Sequence, residues 1–86
     1  MNKTGKQVSQ KFVIKNINSG HYLTVIFGKE FGAAFNPLIL KKEEEIESGD
    51  DAPTKQFDSY EDAENTILNE LPIGNYQVEK LYIKTA

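Results

Sequence analysis

The stretch Lys11-Phe12-Val13-Ile14-Lys15-Asn16-Ile17-Asn18-Ser19-Gly20-His21-Tyr22-Leu23-Thr24-Val25-Ile26-Phe27 decides the fold. Residues 11–17 and 22–27 are both rich in β-branched and aromatic side chains, which suit a pleated surface better than a helix. In the break between them Asn18 can start a turn, and Gly20 can take the positive φ that a bulged hairpin loop requires. These residues predict an antiparallel hairpin. Alternation then places Phe12 and Ile14 with Leu23, Val25 and Phe27 on one inward face, and Val13, Ile17 and Ile26 on the other.

Downstream of the hairpin, Phe27, Phe31 and Phe35 fall at helical spacing while Gly28 and Gly32 weaken any helix, so a loop or one short turn is expected. Pro37 followed by Leu38-Ile39-Leu40 reads as a short third strand, at an edge because a proline stands at its start. From about 41 to 56 the chain is polar and acidic, with Glu43, Glu44, Glu45, Glu47, Asp50 and Asp51 around Ser48-Gly49, and predicts a solvated loop.

Ser59 stands three residues before Asp62 as an N-cap, with Asp58 and Glu61 as the same register one residue earlier, and acids cluster where the helix dipole favours them. Ala63, Ile67, Leu68 and Leu71 form an apolar stripe, and Pro72 and Gly74 end a helix of about three turns. Residues 75–84, Asn75-Tyr76-Gln77-Val78-Glu79-Lys80-Leu81-Tyr82-Ile83-Lys84, make the last strand. Its alternation changes phase between Val78 and Leu81. Either a bulge near Glu79-Lys80 repairs the phase, or Tyr82 continues the inner face and Leu81 and Ile83 meet a partner on the outer one.

The whole chain has 86 residues, 38% hydrophobic and 27% charged, which is the composition of one small globular domain with a thin core. The expectation is α+β, ordered β-β-β-α-β, with one helix packed on a mostly antiparallel sheet: a basic tail over 1–10 and a single domain over 11–86. There is no cysteine, so disulfides and thiolate chemistry are excluded. No apolar run approaches a bilayer span and the first residues do not read as a signal peptide, so the expected place is the bacterial cytoplasm or a virion assembled there.

The net charge of -3 conceals a division. Residues 1–29 carry Lys3, Lys6, Lys11, Lys15 and Lys29 and no acid, whereas the remaining five lysines face all thirteen acids. Every basic residue is Lys and none is Arg, so the bidentate fork that reads guanine and phosphate is missing. Nucleic-acid contact through the N-terminal lysines therefore ranks below protein contact.

His21 is the only histidine and sits in a turn, so no triad or zinc site can be assembled around a second imidazole. No nucleophile elbow, Walker loop or dinucleotide fingerprint occurs. The acidic segment lacks the alternating ligand spacing of a calcium loop. No catalytic residue, cofactor or metal is expected. The candidate partner-binding residues are Phe31 and Phe35, aromatics around Gly32-Ala33-Ala34; Glu43, Glu44 and Glu45, which could imitate phosphates toward a basic protein; and Tyr82. Each has a plainer reading, in a flap over the core, a solvated loop or a core edge.

With these phrases in view, the chain resembles a loose group of small phage and bacterial proteins. The resemblance lies in Phe12-Val13-Ile14-Lys15-Asn16-Ile17-Asn18-Ser19-Gly20-His21-Tyr22-Leu23, in Phe57-Asp58-Ser59-Tyr60-Glu61-Asp62-Ala63-Glu64, and in Gly74-Asn75-Tyr76-Gln77-Val78-Glu79-Lys80. These encode a hairpin, a helix cap and a strand, so they specify fold rather than activity. The resemblance implies a non-catalytic phage or mobile-element accessory protein acting by protein contact, first as a virion or assembly component, second as an inhibitor of a host defence protein. The longer acidic segment before the helix is the departure.

Overall fold

The computed structural model describes residues 7–41 and 52–85. Its elements are β1 (Gln7–Asn16), β2 (Tyr22–Gly28), β3 (Gly32–Asn36), α1 (Tyr60–Glu70) and β4 (Tyr76–Thr85). The four strands form one antiparallel sheet ordered β3-β2-β1-β4, and the helix lies between β3 and β4 in the chain. The α+β architecture expected from the sequence is the one observed. β1 starts at Gln7, so the last four residues of the expected tail belong to the sheet.

The β1–β2 turn forms as its residues dictate, with one change of part. Gly20 takes φ 78° and its N–H donates to the Asn16 carbonyl at 2.7 Å. The side chain that organises the loop is Asn16, whose Oδ1 accepts from the N–H groups of Asn18 and Ser19. Asn18 itself supplies only backbone.

The third strand is not Leu38-Ile39-Leu40 but Gly32–Asn36, which pairs with β2. Gly28 and Gly32 bracket this second turn with φ 131° and 93°, in the left-handed range that a side chain resists. The glycines that argued against a helix are the ones that let the chain double back. β2 carries irregularities between Leu23 and Val25 and between Ile26 and Gly28. The first shifts the alternation by one residue. Leu23 pairs with Phe35 and Ile26 with Ala33 on the core side, leaving Val25 and Phe27 exposed instead of inward.

The β1–β2 hairpin also splays. Its ladder is the single pair Lys15–Tyr22, and the gap beyond is filled by residues 55–57. Phe12 and Phe57 exchange two backbone hydrogen bonds of 2.9 and 2.8 Å, and the Lys55 N–H donates to the Leu23 carbonyl at 2.8 Å. The chain reaches this wedge through a clasp: the Thr54 N–H donates to the Ile39 carbonyl, and Thr54 Oγ1 accepts from the Ile39 N–H, each at 2.8 Å. Thr54 is buried.

The helix begins at its expected cap, with Ser59 Oγ accepting from the Asp62 N–H at 3.0 Å. It lays Ala63 against a cluster of Phe12, Ile14, Leu23 and Leu71, flanked by Ile26, Phe35, Phe57, Ile67, Tyr76 and Val78. Ile14, Leu23 and Leu71 are fully buried, and burial of each contributes about 1.5–3 kcal/mol. Val13, on the opposite face of β1, is also fully buried, and Thr24 on that side of β2 nearly so. The outer face has a covered region of its own.

β4 follows β1 through ten uninterrupted pairs, from Gln7–Thr85 to Asn16–Tyr76. No bulge occurs at Glu79-Lys80. Tyr76, Val78, Lys80 and Tyr82 therefore share the helix side, and Leu81 lies on the other side with Lys11 and Val13.

Candidate functional site

Two exposed surfaces lie at opposite ends of β4, and each is built by elements distant in sequence. Tyr76 and Tyr82, which mark them, are six residues and so about 20 Å apart along the strand.

The first surface is the end of the helix. No basic residue occupies the last turn of α1, where carbonyl groups leave partial negative charge. Lys29, from the β2–β3 turn, reaches across and donates from Nζ to the Leu68 carbonyl at 2.8 Å. Beside this contact opens a groove of about 310 Å³ lined mainly by Ile67, Leu68, Leu71, Pro72, Ile73 and Tyr76. Ile73 is 100% exposed and Leu68 67% exposed. Tyr76 forms the wall: its phenol donates to the Pro72 carbonyl at 2.8 Å, its ring stacks on Phe35 and its burial raises the phenol pKa. Gly74 passes under that ring so closely that a Cβ there would lie 2.9 Å from the phenol oxygen.

The second surface is the free end of the β1–β4 ribbon. Beyond Phe12, β1 pairs only with β4 among the described residues, so Gln7–Lys11 and Leu81–Thr85 form a two-stranded arm. Its helix-side face presents Gln10 and Tyr82, with Lys80 at its base; Tyr82 is 66% exposed, with Lys80 Nζ 6.0 Å from its ring centre. Lys11 is drawn to Asp58, and this contact holds the Asp58 carboxyl below the usual range. On the outer face Glu79 accepts from the Tyr22 phenol at 2.8 Å and pairs with Lys15 at 3.7 Å. That hydrogen bond, then burial, then the nearby carboxylate charge raise the Tyr22 pKa.

The residues expected to meet partners are thus dispersed. Phe31 stands in the β2–β3 turn, 80% exposed. Phe35 lies half-buried against the core in its stack with Tyr76. Tyr82 is at the far end of the sheet, and Glu43, Glu44 and Glu45 lie outside the described residues. Sequence reasoning missed Leu68, which it assigned to the core stripe, and Ile73, Lys29 and Lys80, which it left without a role. A usable signal existed for Ile73 alone: a large apolar residue between Pro72 and Gly74, after the helix has stopped, has no regular element to bury it.

Among the described residues no group of three or more His, Asp or Glu is placed to hold a metal ion, and no helix is long and apolar enough to cross a membrane. Comparison with protein-family models, with curated proteins and with solved structures finds no match.

Proposed function

We propose that this chain is a non-catalytic accessory protein of a phage or mobile element, and that it works by protein contact, self-assembly included. The apolar groove at the end of α1 carries the protein-contact part of this reading. Ile73 and Leu68 expose large aliphatic side chains beside a concave wall, and a contiguous apolar surface of that kind gains free energy when a second protein surface covers it. The phage assignment rests on the resemblance of the hairpin, helix-start and last-strand phrases. A virion or assembly component should form a defined multimer.

Light scattering on the full-length protein tests this directly. A concentration-dependent multimer that Ile73→Asp converts to monomer is expected. A monomer at every concentration, with and without the substitution, removes the assembly reading.

A second reading is inhibition of a basic host protein by the acidic segment. The Ile39–Thr54 clasp favours it, because it anchors both ends of the segment on the domain. Changing Glu43, Glu44 and Glu45 to Gln should then weaken inhibition without changing stability.

A further inference from the structure

We infer that the helix-side face of the β1–β4 arm is a binding surface for single-stranded nucleic acid, with Tyr82 as a base-stacking platform and Lys80 as a phosphate contact. This goes beyond the groove and the protein contacts assigned to it.

The pairing of β1 with β4 creates a charge pattern that neither segment shows alone. Residues 7–12 contain Lys11 and no acid, and residues 80–85 contain Lys80 and Lys84 and no acid. The register sets these two acid-free stretches side by side, Gln10 opposite Tyr82 and Phe12 opposite Lys80. Asp58 is engaged by Lys11, Glu79 on the other face by Tyr22 and Lys15, and Glu64 in the helix by the Tyr60 phenol. Lys80 has no carboxylate partner among the described residues. In a chain with net charge -3, a polyanion meets no acid along residues 7–12 and 80–85.

The aromatic component is independent of the charge. Tyr82 keeps two-thirds of its surface in water on an open, two-stranded stretch that the helix does not cover. Tyr60, at the start of the helix, packs edge-on against Phe12, and beyond Phe12 the next inner-face position of β1 is Gln10. An exposed ring flanked by Lys80 and Gln10 on a sheet surface stacks an unpaired base and leaves the ammonium for its phosphate. Every base has a π-face, so such a surface needs no arginine and reads no sequence. The absence of Arg thus weighs against base readout in duplex DNA but leaves this mode open.

The experiment is a fluorescence-anisotropy titration of the full-length protein with a labelled oligothymidylate at low salt, repeated at rising salt. Saturable binding is expected. Tyr82→Ala should weaken it about tenfold, the scale of one lost stacking contact, and Tyr82→Phe should retain it. Lys80→Gln should flatten the dependence of log affinity on log salt by about 0.7, one phosphate contact on a single strand. No binding at low salt overturns the proposal. So does binding indifferent to both Tyr82→Ala and Lys80→Gln, which would place the contact elsewhere, and so does displacement by polyglutamate as effective as by unlabelled oligothymidylate, which would make the arm a docking site for acidic protein.

Discussion

Phe35 and Tyr76 stand on the two edge strands of the sheet, yet their rings stack with centroids 5.9 Å apart and planes within 14°. Two strands lie between them, so the stack spans the sheet and packs against the core cluster that holds Leu23 and Ile14. Phe35→Ala should cost about 2–3 kcal/mol of unfolding free energy, below the range for a fully buried Phe. In a double-mutant cycle with Tyr76→Leu, a coupling of about 0.5–1.5 kcal/mol is expected from urea denaturation.

Gly74 tests the same wall by steric means. Its backbone does not need a positive φ, but an added Cβ would meet the Tyr76 phenol at 2.9 Å. Gly74→Ala should displace the ring, break its bond to Pro72 and destabilise the fold by about 1–3 kcal/mol. Pairing it with Tyr76→Phe, which removes the phenol oxygen, should recover part of that loss.

The helix and its cap were legible because their determinants are local: Ser59 sits within three residues of the amide it accepts from. The same holds for the first hairpin. Alternation along β2 misled because a bulge is a property of a pair of strands, and nothing between Leu23 and Val25 announces that the partner will slip. Gly28 and Gly32 break a helix, as their residue type predicts, but their positive φ values serve a turn whose need arises only once β3 pairs with β2. The two surfaces were least legible of all. Lys29 caps a helix 39 residues away, and the arm exists only where residues 80–85 meet 7–12.

Removing the Ser59 hydroxyl leaves the Asp62 amide without its acceptor at the start of α1. Ser59→Ala should lower stability by about 1 kcal/mol, while Ser59→Asp should be close to neutral. Thermal unfolding followed by circular dichroism separates the two.

Thr54→Val should cost about 1–3 kcal/mol, because the Ile39 N–H would face a methyl group in place of Thr54 Oγ1. Thr54→Ser keeps the acceptor and should preserve slow amide exchange at Ile39, which Thr54→Val should accelerate.

The phenol of Tyr22 contributes to an alkaline limit, together with those of Tyr60 and Tyr76, whose pKa values are also raised. The Tyr22 pKa is raised in the folded protein above the ordinary 10.0, chiefly by the hydrogen bond to Glu79. Between these values the unfolded chain binds fewer protons than the native one, so stability falls as pH rises through that window. Urea midpoints measured from pH 9 upward should decline, and Tyr22→Phe should flatten the decline.

The clasp between Ile39 and Thr54 has a consequence for how this chain can change over generations. Both ends of the intervening sequence are fastened by the same pair of residues, and the wedge at 55–57 is positioned from the fastening rather than from what precedes it. Lengthening a loop held in this way costs little, roughly 0.6 kcal/mol per doubling. Whatever chemistry the sequence between 40 and 53 carries can therefore be replaced, extended or reversed in charge while the sheet keeps its register. The fold keeps one position open to rapid rewriting.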